Sequence, residues 1–326
     1  MIYGDDFARL IPAISTFKHE APLTQSSGNL VLDRRYAWAE AEAAEGAHAA
    51  AADILEQIVT EAPRWSAAWF ALGVAREKAG DTAAATAAFR RLTEIDPQGL
   101  FGAPLHLARL GATTAPERAP DDYVRGLFDQ YAARFDAHLV DALAYRGPAL
   151  LLDALRQAEA DRGGALRFRH VIDLGCGTGL MARALTPHFE QVTGVDLAPL
   201  MIEEARRSGL YARLEAAELT AFLRGEPAAS ADLVVAADVF VYLGNLEEVF
   251  GETARVLTSG GLFAFSVQAG ENADWRLGDD MRYFHSQTYL RQLAAQAGFA
   301  VLSIDAASTR QDAGRDVPGL ICVLSR

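Results

Sequence analysis

The apolar positions change their period partway along the chain. From about Leu32 to Leu110 they recur at helical spacing in an alanine-rich background. Residues 34–45 and 48–60 read there as two helices broken at Gly46, with Ala51, Ile54, Leu55 and Ile58 on one side of the second. From residue 168 the pattern becomes short, continuous, β-branched runs separated by amphipathic stretches. Strands are predicted at 169–174, 191–196, 212–216, 232–237, 261–267, 300–305 and 319–324, and helices at 178–187, 199–208, 245–257 and 287–297. Ser286 caps the last of these helices and Gly298 ends it. Strand alternating with helix predicts an α/β, doubly wound, Rossmann-like sheet of seven strands, preceded by an all-α domain.

The helical part repeats itself. Trp69, Leu72 and Gly73, then Ala85 and Phe89, then Pro97 match the small, aromatic and proline positions of the tetratricopeptide pattern, with Arg76 where a tyrosine is usual. A shift of about 34 residues sets Pro63 against Pro97, Leu55 against Phe89, Ala51 against Ala85 and Gly46 against Gly80, which marks an older, eroded copy. An ordinary helical hairpin with Trp69 and Phe89 in its core is the plain alternative. The Thr, Pro and Gly content between Gly111 and Pro120 then marks a boundary. The expected organisation is a leader over 1–30, a tetratricopeptide-like domain over 31–112, a linker over 113–120 and the α/β domain over 121–326.

The chemistry concentrates in Val171-Ile-Asp-Leu-Gly-Cys-Gly-Thr-Gly-Leu180. A buried strand runs into a turn with Gly175, Gly177 and Gly179 at alternate positions, where missing Cβ atoms let a ligand approach the backbone. The dinucleotide fingerprint needs its third glycine at the sixth position, which here is Leu180. Asp173 adds a carboxylate that repels phosphate and attracts a cation or an amine. Asp196 ends the next strand about 20 residues on, the distance expected of a group accepting both ribose hydroxyls. Asp173 through Gly179, followed by Val195-Asp196 and Met201, resembles the class I S-adenosylmethionine-dependent methyltransferases. The resemblance covers roughly residues 120–326 and implies S-adenosylmethionine as cofactor. It assigns Asp173, Gly175, Cys176, Gly177, Gly179, Asp196, Leu197, Met201, Glu218, Leu219, Ala237 and Tyr131 to the cofactor, with Glu218 meeting the adenine amino group. It also implies a lid over 121–165, carried by Phe128, Tyr131 and Phe135, and a last strand that returns antiparallel. Those three aromatics at i, i+3 and i+7 equally describe a core stripe.

Composition narrows the rest. A net charge of −13 without a basic, aromatic-interleaved block disfavours nucleic acid as substrate. Two cysteines, Cys176 and Cys322, argue for a reducing compartment and against a disulfide scaffold, and no metal site is expected. The N-terminal residues lack a signal pattern and no run of about 18 apolar residues occurs, so a cytoplasmic protein without membrane spans is expected. At the acceptor end Asp238, Tyr242 and His285 are candidate catalytic residues, able to orient or deprotonate a hydroxyl or an amine. The expected activity is methyl transfer to a small molecule or a protein side chain, with a second copy of the chain or a protein partner docking through the helical domain. The alternatives are a partner-binding protein whose α/β domain binds cofactor without turnover, and a nicotinamide oxidoreductase on a similar fold.

Overall fold

The computed structural model describes residues 26–132, 145–271, 274–312 and 315–326. It contains two compact units, Met1–Gly126 with Asp279–Met281, and Leu127–Gly278 with Arg282–Arg326. The division falls beyond the expected 113–120 linker, because that stretch packs within the first unit: the Pro120 ring lies over Gly99, and Ala119 is buried.

In the first unit α1 (Leu30–Ala44), α2 (His48–Glu61), α3 (Ser66–Lys78), α4 (Thr82–Ile95) and α5 (Ala103–Arg109) each pack on the next. Side chains of Asn29 and Asp81 accept the free N–H groups that open α1 and α4, and Gly46 and Gly80 take the left-handed conformation at the turns after α1 and α3. Helix α4 starts and stops 34 residues after α2. The equivalent positions are also equally buried, Ala51 with Ala85 and Leu55 with Phe89. Gly73 is glycine for a packing reason, since a Cβ there would lie 2.6 Å from the Phe89 ring. The backbone of α3 therefore approaches α4 closely enough to bury that ring.

Helix α6 (Asp121–Tyr131) spans the division between the units and α7 (Gly147–Asp161) precedes the sheet. The chain continues through β1 (Phe168–Leu174), α8 (Leu180–Leu185), β2 (Phe189–Asp196), α9 (Pro199–Arg207), β3 (Arg213–Ala216), α10 (Leu219–Gly225), β4 (Ala231–Ala236), α11 (Glu247–Val256) and β5 (Leu257–Ala269). It ends with β6 (Trp275–Leu277), β7 (Tyr283–His285), α12 (Gln287–Gln296), β8 (Ala300–Ala307), β9 (Gln311–Asp312), β10 (Arg315–Asp316) and β11 (Gly319–Ser325). The main sheet runs β3-β2-β1-β4-β5-β11-β8, with β11 antiparallel to both neighbours. Seven strands with an antiparallel last one is the arrangement expected from the sequence. Helix α10 and the β6–β7 hairpin beside the end of β5 are additions; Tyr283 and His285 are buried, and β7 pairs with both β6 and β5.

Both sheet faces are covered, so successive residues of one strand enter different cores. Val171, Leu233, Val235, Leu262, Ala264, Ile321 and Val323 pack with α7 and α8, whereas Ile172, Val234, Phe263, Phe265, Leu320 and Cys322 pack with α11 and α12. Strand order reverses at β1 and β4, which places the crevice of the sheet at the C-terminal ends of these two strands.

Candidate functional site

The crevice is built from the turn after β1. Gly175, Gly177 and Gly179 all have positive φ, at 62°, 53° and 93°, a region that favours glycine. A Cβ on Gly175 would also lie 2.5 Å from Val239, so the turn and the loop after β4 abut. The Cys176 N–H donates to the Val195 carbonyl at 3.0 Å, which ties the turn to β2. The Cys176 thiol is buried and pushed well above its usual range by burial, then by Asp173 and Asp196, so it stays protonated. It packs within the glycine turn as a neutral thiol.

Asp196 sits where the spacing put it. Its Oδ2 accepts the Gly177 N–H and its Oδ1 the Ala198 N–H, each at 2.9 Å, so the acid fixes the turn and the start of α9 together. Leu197 lies between these contacts. Asp173 is 1% exposed and accepts the Tyr211 hydroxyl at 2.7 Å. The Tyr211 ring also lies against Gly179 and Gly194. Sequence reasoning missed Tyr211, whose only signal was an aromatic just before the third strand.

Burial pushes the Asp173 carboxyl up to about 7, with Asp196 adding to the shift and the Tyr211 hydrogen bond opposing it. Asp196 is pushed up to about 6, mainly by burial, with Asp129 adding to the shift. Two withdrawn carboxylates around an open-backbone turn favour a ligand that brings positive charge or hydroxyl donors, and disfavour a pyrophosphate. S-adenosylmethionine, with its sulfonium, ammonium and ribose hydroxyls, fits this donor set.

Helix α6 closes on the same side. Asp129 Oδ1 accepts the Leu200 N–H at 3.0 Å, supplying α9 with a cap from outside its own chain segment. Met201 is fully buried against Ala132, Ala198 and Phe128, which makes it a core residue beneath α6. The Phe128 ring meets Tyr242 edge to face at 5.5 Å, and the Arg282 guanidinium lies 5.8 Å from the Tyr242 ring centre. Tyr131 ends α6, and Phe135 lies outside the described residues.

Two of the expected site residues already hold backbone groups of the fold. His285, expected as a base, is fully buried; its Nε2–H donates to the Gly244 carbonyl at 3.0 Å and its ring stacks on Tyr289. Burial pushes it down to about 4, so it is a neutral wall residue that fixes the loop after β4. The Glu218 carboxylate is engaged as the cap of α10, accepting the Thr220 and Ala221 N–H groups, with Leu219 packed against the core behind it. Asp238 follows Ala237 at the end of β4 and is paired with Arg310, which the sequence reading did not single out. Among the described residues no cluster of His, Cys, Asp and Glu could hold a metal ion, and no helix is long and apolar enough to cross a membrane.

Residues 172–265 match the family described as "Methyltransferase domain". Human methyltransferase-like protein 27 is 42% identical over 88 residues, which cover 27% of this chain and 34% of that protein. The malonyl-[acyl-carrier protein] O-methyltransferase of Enterobacter lignolyticus is 30% identical over 145 residues, covering 42% of this chain and 55% of that protein. The chain thus spans between about a third and about half the length of these relatives. The crystal structure of the Burkholderia thailandensis 1,6-didemethyltoxoflavin-N1-methyltransferase, with 1,6-didemethyltoxoflavin and S-adenosylhomocysteine bound, superposes with a TM-score of 0.50. It is 18% identical and covers 66% of this chain and 93% of that one, a likeness of fold. Residues 172–265 thus match a methyltransferase domain, and the fold around them is like that of a solved methyltransferase.

Proposed function

We propose that this domain is an active enzyme that transfers a methyl group from S-adenosylmethionine to an acceptor held at the end of β4. The observation that carries this reading is the pairing of a three-glycine turn with Asp196, whose two oxygens hold Gly177 and Ala198. Asp196 accepts the ribose hydroxyls and Asp173 faces the cationic end of the cofactor. Glu218, with lone pairs left over from capping, and Leu219 line the adenine side. Leu197 and Tyr131 enclose the nucleoside, Met201 supports α6 from the core, and Ala237 leaves room above β4. When bound, the cofactor supplies a methyl group whose transfer consumes a positive charge, so the chain's own task is to align the acceptor and exclude water. Phe128 and Tyr242 serve the second purpose. The acceptor is read as a small molecule or a protein side chain.

The first unit is read as a tetratricopeptide-like pair of repeats. The 34-residue offset between α2 and α4 and the Gly73–Phe89 contact support it. Its proposed role is to narrow access to the enzyme or to join two copies of the chain. A second reading, recruitment of a protein partner, is favoured by a groove of about 310 Å³ lined by Trp69, Leu72, Arg76, Ala88 and Arg91. Two buried, unpaired thiols support a reducing, cytoplasmic location. Incubating the full chain with methyl-labelled S-adenosylmethionine and a cell extract tests the activity. Label transferred to an extract component is expected, and its absence with both small-molecule and protein fractions would contradict methyl transfer.

A further inference from the structure

Asp238 is held in place from several sides. It stands just past β4 with a φ of 61°, a left-handed conformation that Asp adopts more readily than most residues but still at some cost. Its N–H donates to the hydroxyl of Ser266, fully buried on β5, at 2.8 Å. Arg310 Nη1 donates to both carboxylate oxygens at 3.0 and 2.8 Å, and Arg310 Nη2 reaches Gln268 Oε1 at 3.3 Å. The guanidinium and Gln268 are buried, whereas the Asp238 side chain keeps 20% of its surface exposed. One open face on an otherwise fixed carboxylate is suited to receive a hydrogen-bond donor.

The surrounding charge sharpens this. The Tyr145 phenol, just before α7, is pushed well above its usual range by burial first and then by the charge of Asp238. An arriving carboxylate would meet the Asp238 carboxylate, and the one guanidinium beside it is already neutralised by Asp238. An N–H or O–H group would instead find an acceptor waiting.

We propose that Asp238 and Arg310 form the acceptor-orienting pair of the enzyme, and that the site takes a nucleophile carrying its own hydrogen, an amine or a hydroxyl, and not a carboxylate. This rests on the methyl-transfer reading above and names its substrate class. Asp238 touches the acceptor, and Arg310 is a positioning residue that sets the carboxylate's direction. The acceptor's lone pair displaces sulfur from the methyl carbon, the electron pair of the broken bond stays on sulfur, and the acceptor's proton passes to Asp238.

The test uses the full chain, methyl-labelled S-adenosylmethionine and a metabolite extract, with the labelled product then held in mild alkali. Methyl esters release their label as methanol, whereas N-methyl and O-methyl ether products keep it. The expected result is alkali-stable label, reduced about tenfold or more by Asp238→Asn and by Arg310→Gln, partly restored in Arg310→Lys, and S-adenosylhomocysteine affinity within about twofold in every variant. Alkali-labile label would overturn the acceptor class alone. Undiminished labelling by Asp238→Asn would make the pair a structural clamp, and loss of S-adenosylhomocysteine binding in that variant would move the pair to the cofactor site. If Arg310→Gln does not fold, the double variant with Asp238→Asn keeps a neutral hydrogen-bonded pair, and wild-type labelling by it overturns the proposal. No label with a chain that binds S-adenosylhomocysteine would instead defeat the methyl-transfer reading, and this proposal with it.

Discussion

At the scale of the residue, the site is defined by two acids that are costly to keep ionised without a ligand. Asp173 and Asp196, pushed up to about 7 and about 6, hold protons that the unfolded chain would release near its ordinary carboxylate range. The folded state therefore binds more protons in this window. The contribution of these groups to stability is full below about pH 4 and is lost as pH rises through about 6 to 7. Asp173→Asn should flatten that slope and stabilise the ligand-free chain above pH 7 by on the order of 1–3 kcal/mol, while weakening S-adenosylhomocysteine binding. Thermal melts at several pH values check this; an unchanged slope would mean the acid is solvated. Asp173 and Asp196 were legible in the sequence because their distance from the glycines is set by the length of a strand and a turn. Arg310 was not, since it arrives from about 70 residues further on and only the sheet brings it to Asp238.

At the scale of the element, single atoms decide which surfaces meet. Gly73→Ala would drive a methyl group into the Phe89 ring, a contact of 2.6 Å that α3 and α4 must separate to relieve. A loss of about 1–3 kcal/mol from the first unit is expected by denaturant titration, and a neutral result would show that the ring has room to move. Gly175→Ala meets both a φ of 62° and Val239 at 2.5 Å. It should abolish cofactor binding while the sheet, which β1 enters before the turn, remains folded by circular dichroism. The strands were readable because those buried on both faces give continuous apolar runs. Helix α10 and the β6–β7 hairpin were not, being short and shaped by contacts: Glu218 caps the first, and Gly244 makes room for the Trp275 ring in the second.

At the scale of the whole molecule, two units with separate cores should respond separately to a ligand that binds one of them. A saturating level of S-adenosylhomocysteine is expected to raise the melting of the α/β unit and to leave the helical unit's transition in place. Calorimetric scans that show a single shifted transition would indicate a coupled molecule. Whether the glycine turn and Asp196 bind an S-adenosyl nucleoside and not a nicotinamide dinucleotide is tested by isothermal titration of the full chain with S-adenosylhomocysteine and, separately, with NADH. One site per chain is expected for S-adenosylhomocysteine, weakened by about 2–4 kcal/mol in Asp196→Ala, with no heat from NADH. Binding of NADH alone, or S-adenosylhomocysteine affinity unchanged by Asp196→Ala, would contradict it.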